Sequence, residues 1–174
     1  MSTIKPAKKL TKTNGASNGV DRESHATETD HTSLRLWLRL LTCTTLIENR
    51  VRGQLRTGFG ITLPRFDLMA QLARNPDGLK MGELSQRMMV SGGNITGITD
   101  QLEKDGLVER VTLPGDRRAW QVRLTQAGRE AFDAMAAEHE TWIVDLMGSL
   151  TVQEQHELHD LLGKLKQSVR EKVE

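Results

Sequence analysis

The residues of this chain that invite chemistry are hydrogen-bond donors and positive charges, not nucleophiles. Ser91, Asn94, Thr96 and Gln101 fall in one short stretch, interleaved with Gly93 and Gly97. Further on, Asp116 precedes two adjacent arginines in the run Pro114-Gly115-Asp116-Arg117-Arg118. Short hydroxyl and amide side chains read base edges and phosphates. Arginines seek concentrated negative potential, such as that of a narrow minor groove. Two glycines on one helix face cost about 1 kcal/mol each against Ala. Close approach of the backbone to nucleic acid would compensate for them, and so would tight helix packing. Ser91 also has an ordinary reading as a helix N-cap. No paired His and acid, phosphate loop or nucleophile elbow occurs, which argues against an enzyme.

These residues need elements to hold them. Ile95, Ile98 and Leu102 recur at helical spacing, which predicts an amphipathic helix over 91–104. That face points to a core, so Gly93, Gly97, Asp100, Gln101 and Lys104 point outward, with Asn94 and Thr96 on the flanks. Gly106 stands where a helix stops in the left-handed conformation. Residues 107–113 and 119–124 read as strands around the Pro-Gly turn, with Arg117 and Arg118 at its tip. Helix, tight turn and basic-tipped hairpin together outline a winged helix. In that design the helix enters the major groove and the hairpin an adjacent minor groove.

The flanking chain supplies the frame. A first helix is expected over 33–56, with Trp37, Leu40, Leu41, Ile47, Val51 and Leu55 on one face. Leu34, Leu36 and Leu38 widen that face, which argues for a partner subunit rather than a plain monomer core. Thr57-Gly58-Phe59-Gly60 is expected to break the helix. Thr62 then caps a second helix over 63–74, with Pro64 in its first turn and Phe66, Met69, Ala70, Leu72 and Ala73 inward. Asn75-Pro76-Asp77-Gly78 is a turn, Leu79 a one-residue strand, and 81–89 a short helix with Leu84 and Met88 inward. Thr125 caps a long fifth helix to about 148. Thr151-Val152-Gln153-Glu154 is a capping box for a sixth, striped by Leu158, Leu161, Leu162, Leu165, Val169 and Val173. The expected class is mainly α with a small β-hairpin (α+β): a winged helix-turn-helix domain plus a helical dimerisation region. Residues 1–32 lack aromatics, are rich in Lys, Thr, Ser, Asn and Gly, and read as a disordered tail.

Net charge is only +1, but it is unevenly spread. Residues 110–129 carry five arginines against one aspartate, and residues 33–63 five arginines against Glu48. Residues 130–174 carry ten acids against four bases. A phosphate-facing patch needs local rather than global charge; for single residues such as Arg123 and Arg129, plain surface solvation is the alternative. One cysteine forbids an intrachain disulfide and fits the cytosol. No run approaches the length needed to cross a bilayer, and no secretory signal is read at the N-terminus.

Leu102-Glu103-Lys104-Asp105-Gly106-Leu107-Val108-Glu109-Arg110, then Asp116-Arg117-Arg118, then Leu124-Thr125-Gln126-Ala127-Gly128, resemble the multiple-antibiotic-resistance regulator (MarR) family of bacterial transcription factors. The similarity covers about 33–174. It implies a winged-helix core over 63–124, dimerisation helices over 33–56 and 125–174, a homodimer, and a palindromic operator in double-stranded DNA. It further implies that Asp116 pairs with Arg118 and steadies the wing, leaving Arg117 the more exposed. Segments 36–43, 63–70 and 90–97 resemble the branch controlling hydroxycinnamate and related aromatic-acid catabolism. That branch implies a repressor released by an aromatic acid or aryl-coenzyme A thioester.

By the same resemblance the effector site lies between the winged domain and the dimer helices. Trp37, Leu40, Cys43, Thr44, Phe66 and Met69 are candidate lining, and Arg39 and Arg65 candidate partners for a carboxylate or coenzyme A phosphate. For each apolar residue, ordinary core is the competing reading. Some relatives sense peroxide through a first-helix Cys held by tyrosines. Cys43 sits on or beside the buried face of its helix, but the chain has no Tyr, which argues against redox sensing. His156 and His159 share a helix face without a nearby Cys, so neither metal nor cofactor is expected. A winged-helix module that binds another protein is the alternative function.

Overall fold

The computed structural model describes residues 31–113 and 116–173, and side chains for all of these except 113–119. The tail expectation over 1–32 therefore falls almost wholly outside the described residues. So do the Pro114-Gly115 turn and the side chains of Asp116, Arg117 and Arg118. The chain divides into two units, Met1–Leu46 and Ile47–Glu174.

The elements in order are α1 (Thr32–Phe59), α2 (Leu63–Ala73), β1 (Leu79–Lys80), α3 (Met81–Met88), α4 (Gly92–Lys104), β2 (Val108–Leu113), β3 (Asp116–Leu124), α5 (Gln126–Met147) and α6 (Val152–Val173). The α+β class expected from the sequence is the one observed. The antiparallel sheet has the order β1-β3-β2. In the first unit, α1 leaves Leu34, Leu36, Trp37 and Leu46 exposed. Cys43, expected on or beside a buried face, is also exposed.

The core lies wholly in the second unit. Val51 and Leu55 of α1 join Phe66, Leu68, Met69 and Leu72 of α2, Leu84 of α3, Ile95 and Leu102 of α4, Val108 and Val122 of the sheet, and Met135 of α5. Helices α1 to α5 each turn one face to this core, whereas α6 buries no residue within the chain. Leu79 is buried and pairs with Val122, which ties the stretch before α3 to the wing.

Local stops follow the residues that can make them. Gly78 takes φ +96° and donates its N–H to the Asn75 carbonyl at 2.9 Å. Gly106 takes φ +71°, and the amides of Gly106 and Leu107 bond the carbonyls of Glu103 and Leu102 at 2.9 Å each. That pair of hydrogen bonds is how a left-handed residue ends a helix and reverses the chain. Thr125 accepts from the Gly128 amide at 2.9 Å, and Glu154 accepts from the amide and hydroxyl of Thr151, as expected.

Three expectations give way. Helix α1 does not break at Thr57. It runs to Phe59, because the left-handed residue that ends it is Gly60, at φ +64°; Thr57 stays helical, its hydroxyl bonded back to the Gly53 carbonyl at 2.9 Å. Thr62 occupies the N-cap of α2 without a side-chain bond; its carbonyl instead accepts from the amides of Arg65 and Phe66. The wing's second strand starts at Asp116, not Ala119. The register runs evenly from Val108↔Leu124 to Thr112↔Trp120, then jumps to Leu113↔Asp116. A bulge absorbs the three extra residues, so Arg117 and Arg118 belong to an irregular part of β3 rather than to the turn.

Candidate nucleic-acid interface

Helix α4 is positioned by what it buries. Ile95, Thr99 and Leu102 have no solvent exposure, and Ile98 is half-buried. Thr99 went unread in the sequence although it stands four residues after Ile95, on the same face. Its hydroxyl donates to the Met81 sulfur at 3.9 Å. The turn before α4 is held by Ser85, whose hydroxyl donates to the Val90 carbonyl at 2.6 Å, and by Met89 in the left-handed conformation.

The opposite face carries the predicted reading residues, all exposed: Ser91, Gly93, Asn94, Thr96, Gly97 and Gln101. Ser91 is the N-cap, accepting from the Asn94 amide at 3.4 Å. The Thr96 hydroxyl donates back to the Gly92 carbonyl at 3.0 Å, which leaves its lone pairs outward. A Cβ built on Gly93 or Gly97 would meet nothing within 4 Å. Packing inside the chain therefore does not require glycine at either place. Asp100 is not a free outward carboxylate: together with Glu103 it holds Arg110 of β2. The hydrogen bond to Asp100 is the main reason the Arg110 guanidinium stays above its ordinary pKa.

That pairing ties the wing to α4. A signal for it existed: Asp100 and Glu103 share a helix face, and Gly106 folds β2 back beside them. Arg123 is likewise engaged, bonding Glu109 across the hairpin at 2.7 Å. Arg129 donates to the Ala73 carbonyl at 3.0 Å, closing the end of α2. Arg129 is thereby held by the fold, whereas Arg123 makes a surface ion pair and stays half exposed, in keeping with the surface reading. Three of the five arginines between 110 and 129 thus find partners within the chain. For Arg117 and Arg118 only the backbone is described.

Beside α4 opens a cleft of about 710 Å³. Gly93, Asn94, Gly97, Ile98 and Gln101 form one wall, the start of α2 from Ile61 to Arg65 another, and Arg52 and Arg56 of α1 the rim. Arg65 pairs with Asp105, and its buried Nε has no partner among the described groups. Arg52 and Arg56 were not singled out from the sequence.

The effector candidates fall in both units. Trp37, Arg39, Cys43 and Thr44 are exposed and Leu40 half-buried on the first part of α1. In the second unit Phe66 and Met69 are core. The Phe66 ring stacks on Phe132 at 5.5 Å and lies 5.0 Å from His139, whose pKa burial lowers. Among the described residues there is no cluster of metal-ligating side chains, and His156 and His159 are exposed. No described helix is long and apolar enough to cross a membrane.

Comparison with known proteins gives this geometry a family. Residues 59–119 match the model described as MarR family. A MarR family transcriptional regulator of known structure from Silicibacter pomeroyi is 33% identical, with a TM-score of 0.70 over 82% of this chain and 99% of that one. An uncharacterized HTH-type transcriptional regulator of Bacillus subtilis, YkoM, is 30% identical over 118 residues, 67% of this chain and 74% of that protein. Sco3205 of Streptomyces coelicolor, a MarR family regulator solved in complex with DNA, shares the fold with a TM-score of 0.71 at 24% identity, over 82% of this chain and 90% of that one. A three-stranded sheet behind an exposed, glycine-bearing helix is therefore the winged helix of a regulator rather than the scaffold of an enzyme, and this chain belongs to the MarR family of DNA-binding transcriptional regulators.

Proposed function

We propose that two copies of this chain, paired through α1, α5 and α6, bind a palindromic operator in double-stranded DNA. In this reading α4 enters the major groove and turns Ser91, Gly93, Asn94, Thr96, Gly97 and Gln101 toward base edges and phosphates. Arg117 and Arg118 enter the minor groove, and Asp116 steadies the wing. The observation that carries the reading is the empty space over Gly93 and Gly97, on the face opposite Ile95, Thr99 and Leu102. Helix-weakening glycines with no neighbour to accommodate make sense where another molecule approaches the backbone. The uncovered stripe of Leu158, Leu161, Leu162, Leu165 and Val169 on α6 supports pairing with a second copy.

The regulator acts as a repressor of aromatic-acid catabolic genes, and a small aromatic acid or aryl-coenzyme A thioester releases it. Support for this finer reading is the likeness of segments 36–43, 63–70 and 90–97 to that branch. Trp37, Arg39, Leu40, Cys43, Thr44, Arg65, Phe66 and Met69 are its candidate contacts.

The test begins with a duplex selected from a random pool by the wild-type chain. Arg117→Ala with Arg118→Ala is expected to weaken binding by tenfold or more and to flatten its salt dependence, about one unit of slope per lost phosphate contact. Unchanged affinity removes the wing from the mechanism. Aromatic acids and their thioesters are then titrated against melting temperature, which rises only for a ligand selective for the folded state.

A further inference from the structure

The α1 rim of the cleft beside α4 has no part in the reading above, and it carries two arginines. Arg52 and Arg56 stand one helical turn apart near the end of α1, and Arg65 lies across from them at the start of α2. Arg52 and Arg56 are exposed. The acidic neighbour of Arg52 is Glu48, at 3.8 Å and itself exposed, which screens it only weakly. Arg56 has no ion pair among the described residues. The first turn of α2 carries no acid, and Pro64 there has no N–H. Arg65 is paired with Asp105, so the uncompensated charge of the cleft is that of Arg52 and Arg56.

The wall facing these arginines is α4 itself, at Gly93, Asn94, Gly97 and Gln101. If that face meets base edges in the major groove, one sugar-phosphate strand bordering the groove must pass beside α4. We propose that this cleft is a backbone-phosphate cradle, in which Arg52 and Arg56, reaching from α1, hold the strand that flanks the helix-bearing groove. Their contacts carry no sequence information. They add affinity through counterion release and fix the depth at which α4 sits. This rests on α4 reading DNA. The shared chemistry, an anion against arginines, would also admit a free aromatic carboxylate, and the test separates the two.

The full-length chain is measured by fluorescence anisotropy against the selected duplex and a scrambled one, from low to high KCl. Arg52→Ala with Arg56→Ala is expected to weaken both duplexes alike. It should lower the slope of log affinity against log salt by about two for each DNA-bound subunit. Arg52→Lys with Arg56→Lys should restore most of that slope, because charge rather than shape is required. Melting temperature and circular dichroism establish that each variant is folded. A slope unchanged in a folded Ala variant overturns the cradle while leaving the role of α4 standing. Benzoate raising the wild-type but not the Ala-variant melting temperature, with unchanged slope, likewise overturns it in favour of a small-anion site. Wild-type chain that retains no duplex above the scrambled control sinks the reading of α4 and the cradle with it.

Discussion

The carbonyl oxygen of Leu107 would stand 1.8 Å from a Cβ at Gly128. Leu107 leads into β2 and Gly128 lies in the first turn of α5, so the wing and the long helix meet here backbone to backbone. Thr125 seals the junction. Its amide donates to the Leu107 carbonyl at 3.1 Å, its hydroxyl donates to the Gly106 carbonyl at 2.7 Å, and the same hydroxyl accepts from the Gly128 amide. Backbone cannot yield as a flexible side chain does. Gly128→Ala should therefore destabilise the fold by about 2–3 kcal/mol, in the range for overpacking a tight site. Thermal unfolding checks this, and a melting temperature equal to wild type refutes it.

Gly93 and Gly97 predict the reverse for stability. With open space at both, Ala adds helix propensity of up to about 1 kcal/mol per site, more at Gly97 in the helix interior than at Gly93 in the first turn. The double Ala variant should melt higher than wild type and bind DNA more weakly, because the added methyls hold the helix off the bases. A variant that gains stability and keeps full affinity would show that the glycines serve neither purpose.

Arg110 supports a prediction about geometry. Its bonds to Asp100 and Glu103 are partly exposed, so Arg110→Ala should cost no more than about 1 kcal/mol of stability. Loss of the tie lets the wing swing relative to α4, and affinity should fall severalfold. Arg110 faces carboxylates rather than phosphates, so the salt slope should stay at the wild-type value. A slope that drops by one would instead make Arg110 a direct phosphate contact.

His139 makes stability depend on pH. Burial among Phe66 and Trp142 lowers its pKa below the ordinary value near 6.5. The unfolded chain therefore takes up the proton first as pH falls. The stability His139 contributes is present above the unfolded pKa and is lost as pH falls from about 6.5 through the lower folded value. His139→Phe should remove that part of the acid sensitivity. Denaturant midpoints compared at pH 7.5 and 5.5 check it, and an identical acid loss in the variant counts against the assignment.

The residues of this chain determine by themselves whatever is settled within a few positions. Ile95, Ile98 and Leu102 announce α4, Gly106 its stop, Thr125 and the Thr151–Glu154 box the starts of α5 and α6, because periodicity, caps and left-handed turns are local physics. Most bounds fell within a residue; the end of α1 and the start of β3 slipped by three, where Gly60 took the left-handed position and a bulge lengthened the strand. The tertiary structure alone decided the partners. Arg123 and Arg129 had plain surface solvation as their alternative reading until the fold brought Glu109 and the Ala73 carbonyl beside them. Arg52 and Arg56 border the reading helix only because α1, α2 and α4 converge on one core. Only Arg110, whose partners lie within ten residues across the Gly106 turn, left a local trace of its pairing; Arg129 meets the Ala73 carbonyl across 56 residues, a contact set by how the helices pack.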